Sequence, residues 1–441
     1  LAEIRPFRGV RYQAGQVDDL ARVIAPPYDI ISPDEQRALH ARSPHNVVRL
    51  EYGETHDDDS QQNNRYTRAA ATLAQWLASG VLAPDDRPAF YVYDQEFEHG
   101  GARYRRRALL TRVHLEEWAK GTVRPHEQTF AGPKEDRLRL LRACRANLSP
   151  VFALYRDPHG VVSGALQEAT SGRSPAAVAE TAEERHTIWP LGEERVQRWL
   201  EQQFAPATLY IADGHHRYET ALAYRDERRA AAASWTGQEP ENFVFAGLTA
   251  AEDPGLLILP IHRMVQLPRA DDSVLERLRQ HLAVEEVTPP QSHDQAAPDR
   301  LLELVAERGS SASAFGLCWP RGRLFLLTAN DPQGLVARFC PECPAQWRTL
   351  DVAVLEFALL RAVLEIDPRP IEEGGSLTIT ADAHEAWQQV QAGHYSAAFL
   401  LNPVPVEKVL VVADDGQRMP PKTTFFHPKL ATGLVTNRLD D

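Results

Sequence analysis

The sequence is short of cysteine, of long apolar runs and of positive charge. Its 441 residues include only four cysteines, Cys144, Cys318, Cys340 and Cys343. Cys340-Pro-Glu-Cys343 has CxxC spacing, but no second pair or nearby HxxxH completes a tetrahedral zinc site, and no βαβ context suggests thioredoxin chemistry. The CxxC is therefore read as an incidental loop, and no metal site is expected. No apolar run approaches the roughly 18 residues needed to span a bilayer. The opening LAEIRPFRGVRYQ lacks the apolar core and small-residue cleavage site of a secretory signal, so a cytoplasmic protein is expected; beginning at Leu1, it is expected to lack a few leading residues. The net charge of −13 disfavours long-range attraction to nucleic acid or anionic membrane, leaving only a local basic pocket open. Walker A and protein-kinase HRD/DFG patterns are missing, so the common nucleotide folds gain no support.

What is present is an ordinary globular composition, 43% hydrophobic and 25% charged, in a chain long enough for two domains. Ser32-Pro33-Asp34-Glu35 opens a helix that should end before Pro44. NVVRLEY, from Asn46, reads as a strand. RYTRAAATLAQWLASGV reads as a helix stopped by Gly80, and residues 89–114 as a strand pair turning at His99-Gly100-Gly101. A helix is expected near Glu135 to Ala146, followed by the strand VFALY. Residues 171–186 read as a surface connection. HTIWPL, GEERVQRWLEQQF and ATLYIA then restore a strand, helix, strand rhythm that favours a mixed or parallel sheet. The expected division is 1–264 for a first α/β domain and 265–441 for a C-terminal α/β region. The latter carries a small βαβ-type insert, whose loosest loop is near Pro289, helices at 350–365 and 381–392, and a tail that can return to the site.

The densest chemistry lies in LYIADGHHRYETALAYRDE, residues 209–227. A buried strand breaks at Asp213-Gly214 and a helix begins with His215, His216 and Arg217. A helix start offers unpaired amides and a partial positive charge, so it attracts phosphate or carboxylate. Asp213 can cap it, Gly214 permits a tight turn, and Arg217 offers a fork of donors. Adjacent histidines diverge, whereas chelation from a helix wants residues i and i+4, so an anion cradle is favoured over a metal site. Upstream, Arg124-Pro-His126-Glu127 is either a solvated loop or an acid/base pair. Lys134, Lys422 and Lys429 are secondary phosphate candidates, each also readable as a surface lysine.

Ile4-Arg-Pro-Phe-Arg-Gly9, Ala25-Pro-Pro-Tyr-Asp-Ile-Ile-Ser32, Arg124-Pro-His-Glu127, Gly132-Pro-Lys-Glu-Asp-Arg137, Ala146-Asn-Leu-Ser-Pro150, Ala212-Asp-Gly-His-His-Arg-Tyr-Glu-Thr-Ala221 and Met419-Pro-Pro-Lys422 resemble the motif string of the domain of unknown function 1015 family. The resemblance spans nearly the whole chain. One departure is Pro421-Lys422-Thr423-Thr424, where a lysine and then Ser-Thr would follow Met419-Pro; threonine keeps the hydroxyl.

Asp213-Gly-His-His-Arg217 also resembles, locally, the phosphate-binding motif of free-serine kinases of the ParB/sulfiredoxin superfamily. This second resemblance implies a ParB/sulfiredoxin-like core with a mixed α/β sheet. It further implies Asp213 near the transferred phosphoryl group, with Gly214, His215, His216 and Arg217 around the phosphates. It supplies the expectation of Mg²⁺ and a phosphate donor, whether ATP, ADP or pyrophosphate. A separate catalytic carboxylate is implied nearer the N-terminus, for which Asp29, Glu35 and Glu127 are the candidates. The resulting expectation is a small-molecule phosphotransferase, acting on an amino-acid-like hydroxyl such as serine. The alternatives are a nucleotide-binding regulatory protein, or a phosphatase using the same cradle. The sequence leaves donor, acceptor and oligomeric state open.

Overall fold

A computed structural model describes residues 2–129, 131–268, 270–287, 296–367 and 376–440; the loop expected near Pro289 lies outside the described residues. The chain forms two compact units, Leu1–Leu257 with Pro428–Asp441, and Ile258–His427.

The first unit is built on a nine-stranded mixed sheet. Its strands are β1 (Ile4–Arg5), β2 (Phe90–His99), β3 (Ala102–His114), β4 (Val123–Pro125), β5 (Val151–Tyr155), β6 (Ala177–Glu180), β7 (Glu184–Leu191), β8 (Leu209–Asp213) and β9 (Phe243–Ala250). The order is β4-β8-β5-β9-β3-β2-β7-β6, with β1 on β3. The β4–β8 and β5–β9 pairs are parallel and the others antiparallel. β9 is buried at every position, as a strand covered on both faces must be.

The principal helices are α1 (Pro33–Arg42), α2 (Arg65–Ala78), α3 (Ala131–Cys144), α4 (Val161–Thr170), α5 (Glu194–Phe204) and α6 (His215–Ala231). Their starts follow from local chemistry. Ser32 accepts from the Glu35 amide ahead of Pro33, and Asn64 and Thr67 form a reciprocal capping box on α2. Leu166 of α4, Leu200 and Phe204 of α5, and Tyr218, Ala221 and Leu222 of α6 share one apolar cluster with the sheet residues Val92, Leu109, Ile211 and Leu248.

Three expectations are corrected. NVVRLEY is not a strand: Val48–Glu51 forms a helical turn. Its organiser is Asn46, whose Nδ2 donates to the Arg22 and Ile24 carbonyls while its Oδ1 accepts from the Val48 amide. The stretch 171–186 is more than a connection, because Ala177–Glu180 pairs with Glu184–Leu191 as an edge hairpin. The α3 helix starts at Ala131, earlier than expected, and ends at Cys144, where Arg145 turns left-handed (φ 48°).

The second unit contains a six-stranded antiparallel sheet of β10 (His262–Val265), β11 (Ala283–Val287), β12 (Ser313–Cys318), β13 (Leu324–Ala329), β14 (Leu377–Thr380) and β15 (Ala397–Leu400). β11 and β12 both run antiparallel to β13, and so parallel to one another on either side of it. The expected helix at 350–365 is a turn, Asp351–Ala353, continued by a π-helix, Val354–Val363. Glu356 of that π-helix pairs with the fully buried Arg263 at 2.8 Å. Cys340 and Cys343, in the loop read as incidental, form a disulfide. Among the described residues no helix is long and apolar enough to cross a membrane.

Candidate functional site

The corner is built at the end of β8. Ile211 pairs with Ala153 and Asp213 with Phe152, so the register slips at Ala212. Such a bulge re-aims the side chain that follows it, here Asp213. Gly214 then adopts a left-handed conformation (φ 86°, ψ 29°) as the N-cap of α6, and no side chain caps the helix. Only glycine takes that conformation without strain.

Asp213 therefore does not cap α6, contrary to expectation. Its carboxylate, 13% exposed, pairs through Oδ2 with the Arg217 guanidinium at 2.5 Å and through Oδ1 with the Lys429 ammonium. Arg217 also donates to the Pro150 carbonyl. The expectation of an uncommitted arginine fork is corrected accordingly: one arm of Arg217 holds Asp213 and the other holds the backbone before β5. Burial alone would push the Asp213 carboxyl up, but the charges of Lys429 and Arg217 outweigh it and hold the group well below the usual carboxylate range.

Asp29, from the 3₁₀ turn Tyr28–Ile30, is the carboxylate that shares this field. The surrounding protein pushes its carboxyl up, the Asp213 charge pushes it further, and Arg217 and Lys429 pull the other way. Asp29 is exposed to solvent, so water screens these charges and makes the upward push small. Two neighbouring carboxyl groups are thus driven apart, Asp213 down and Asp29 up.

The histidines have different settings. His126 is fully buried, with Nδ1 2.7 Å from the Ile211 carbonyl, and its amide donates to His215 Nε2 at 3.3 Å. The two rings meet edge to face, 4.8 Å apart. Burial pushes His126 down, against an upward pull from Glu127, so it is a neutral wedge behind the corner at neutral pH. His216 is half-buried; burial pushes it down, while Glu127, Glu219 and Asp29 pull it up. Glu127 thus lies in the field of both His126 and His216.

Lys134 of α3 pairs with Glu219 of α6 at 3.0 Å, and Thr129 donates to the same carboxylate at 2.5 Å. Glu35 sits in the first turn of α1, and no hydrogen bond or ion pair joins it to the corner among the described residues. Lys422 belongs to the second unit, where its carbonyl accepts from Arg263 at 2.9 Å. The tail lysine at the corner is Lys429.

Behind Arg217 lies a cavity of about 40 Å³ lined in part by Glu51, Arg137, Ser149 and Thr220. Ser149 donates to Glu51 at 2.9 Å, and Arg137 stacks 3.9 Å over the Tyr28 ring. Among the described residues, no group of three or more His, Cys, Asp or Glu side chains could hold a metal ion. A protein-built metal cage therefore does not fit this corner. Mg²⁺ commonly binds through one or two carboxylates together with substrate phosphates, so Asp213 or Asp29 could contribute only alongside a bound phosphate.

The family model described as protein of unknown function (DUF1015) matches residues 4–353. The chain belongs to the DUF1015 family. No curated protein matches it. Among solved structures, this DUF1015 member is similar to a free serine kinase variant in complex with ADP, at 14% identity and TM-score 0.34, over 74% of this chain and 92% of the other. It is also similar to a conserved hypothetical protein from Pyrococcus furiosus, at 14% identity and TM-score 0.33, over 76% and 96% of the two chains. SbnI from Staphylococcus aureus, with its C-terminus truncated, gives 11% identity and TM-score 0.35 over 74% and 86%. At TM-scores of 0.33 to 0.35 these likenesses decide nothing about activity, and the chemistry rests on the residues of the corner.

Proposed function

We propose that the first unit is a small-molecule phosphotransferase whose reaction centre is the β8–α6 corner. The observation that supports this most is geometric: the Lys429 ammonium and the Arg217 guanidinium converge on Asp213 at the start of α6, and the opposite directions in which Asp213 and Asp29 are pushed agree with it. Titratable groups separated in this way are the usual signature of divided acid and base roles. Asp213 stands just before a helix start without a side-chain cap, the kind of place that attracts phosphoryl oxygens.

In phosphoryl transfer the protein's work is alignment and charge neutralisation. In this reading the amide end of α6 receives the donor phosphate. Lys429 and Arg217, which converge on one carboxylate, present their charge to the same small volume. Asp29, exposed to solvent, takes the proton of the acceptor hydroxyl. Asp213 keeps both cations in place and stays ionised. An amino-acid-like acceptor such as serine is carried by the motif resemblance.

The test is incubation with ATP, ADP or pyrophosphate and a panel of amino acids, followed by ³¹P NMR. A new phosphomonoester that disappears in Asp29→Asn supports the proposal. Release of free phosphate from phosphomonoesters without any transfer would instead make the site a phosphatase. Tight nucleotide binding without turnover would make it a switch.

A further inference from the structure

Lys429 reaches Asp213 from a tail far away in sequence, and something must fix where its backbone lies. Beside the backbone pairing of Thr432 with Ala25, two side chains in the middle of the sheet bond to it. Gln95 of β2 and Arg106 of β3 are direct cross-strand partners, and each is 1% exposed. Gln95 Nε2 donates to the Lys429 carbonyl at 2.9 Å and to Glu184 at 2.5 Å. Gln95 Oε1 accepts from Arg106, whose guanidinium also donates to the Pro428 carbonyl, both at 2.5 Å. The Arg106 plane lies 4.8 Å from the centre of the Phe152 ring, and Phe152 is the residue opposite Asp213 in the ladder.

A buried arginine is costly unless its charge and donors are met, and a buried carboxamide is costly unless both of its ends are. Here both groups spend donors on two consecutive tail carbonyls. An apolar pair would fill the same space more cheaply if filling it were the only task. We propose that Gln95 and Arg106 are positioning residues for the phosphoryl-transfer site: they clamp the carbonyls of Pro428 and Lys429 so that the Lys429 ammonium is delivered to Asp213.

The inference rests on the Asp213–Lys429 pair and deepens the proposed function, but it can be tested without any turnover. The readout is the ionisation of Asp213, followed by ¹³C NMR of side-chain carboxyl-labelled protein, with the resonance assigned through Asp213→Asn. Lys429→Met should raise the Asp213 pKa by about one unit or more, because a contacting cation holds it down. Gln95→Met, nearly isosteric and without donors, should raise it in the same direction although it touches neither charge. Gln95→Glu, which keeps an acceptor for Arg106 but loses both donors, should resemble Gln95→Met. Arg106→Lys, which keeps the charge and a donor, should restore most of the parental behaviour where Arg106→Met does not.

If Gln95→Met and Gln95→Glu lose stability but leave the Asp213 titration where it is in the parent, the clamp is only scaffold and the proposal falls. An unchanged titration in Lys429→Met overturns it as well. Failure of the phosphotransferase reading would look different: no transfer in the ³¹P assay, with the Asp213 shifts as expected.

Discussion

Replacing Lys429 by methionine tests the charge arrangement at the corner most directly. The substitution keeps the length of the stem and removes one of the two cations on Asp213, a carboxylate only 13% exposed. Two unit charges in contact at an effective dielectric constant of 20 attract by about 5 kcal/mol, and breaking a buried pair costs about 3–5 kcal/mol. Arg217 remains at 2.5 Å and still pairs with the carboxylate, so the loss should fall at or just below the bottom of that range, about 2–3 kcal/mol. Asp213→Asn removes the shared anion, leaves two cations facing each other and should cost at least as much. In the double variant the ammonium that Asp213→Asn alone would strand is gone as well, so the losses should fall short of additive by about 1–3 kcal/mol. Hydrogen exchange at β8 and α6 amides reports the first unit without interference from the second. A coupling below about 0.5 kcal/mol, the level seen for independent sites, would mean that Lys429 and Asp213 do not share a charge interaction, and the account of the corner would fail.

Other outcomes follow from the same structure. If Asp29 takes the acceptor proton, turnover should rise with pH through a value above the usual carboxylate range, since the base must be unprotonated and its carboxyl is pushed up; Asp29→Asn should cut kcat about 10²–10⁴-fold, and an unchanged rate would remove Asp29 from the mechanism. Gly214→Ala should cost about 1–2 kcal/mol for its left-handed backbone, and because the new Cβ would sit 2.9 Å from the Arg217 guanidinium, it should also weaken phosphate-donor binding; a variant as stable as the parent by urea denaturation would contradict the geometry. Burial, helped by Arg106, pushes His186 down to about 4, and burial with Arg263 does the same to His262. A histidine with a depressed folded value favours folding when neutral, so stability should be full above about pH 6.5 and fall as pH drops toward 4, by about 3 kcal/mol for each residue. Denaturant midpoints that stay flat between pH 7.5 and 4 would refute this, and His186→Gln should flatten the slope for the first unit alone.

The parts of the fold legible in sequence were those whose cause is local. Ser32-Pro33, the Gly80 stop and the His99-Gly100-Gly101 turn announce the start of α1, the end of α2 and the β2–β3 hairpin through chemistry within a few residues. NVVRLEY misleads because its apolar run has strand composition, whereas the helical turn is organised by Asn46 bonding back to Arg22 and Ile24, a tertiary contact that no window shows. The same divide holds at the corner. That a strand would end at Asp213 and a helix begin with His215 could be read from the pattern. What Asp213 and Arg217 bond to could not, because the partners are Pro150 and Lys429. A capping aspartate and a free arginine fork are the local solutions, and the fold adopts a long-range one. Nothing in the spacing around Gln95 or Arg106 signals that they meet the tail; in sequence they do not stand out from their polar neighbours in Asp94-Gln95-Glu96 and Arg105-Arg106-Arg107.

The route of the tail has a consequence for how the chain acquires its structure. Pro428–Asp441 belongs to the first unit although Ile258–His427 intervenes. It is sewn to early segments by Thr432 with Ala25, Thr436 with Val10, and Asn437–Arg438 with Ala146–Asn147. During synthesis, the first 257 residues can collapse but must wait, with Asp213 lacking its ammonium partner, while the whole inserted unit is made. The Asp213–Lys429 pair therefore cannot form until the inserted unit has been made, and a ribosome stalled short of Lys429 would hold a chain in which Asp213 has only Arg217 to pair with.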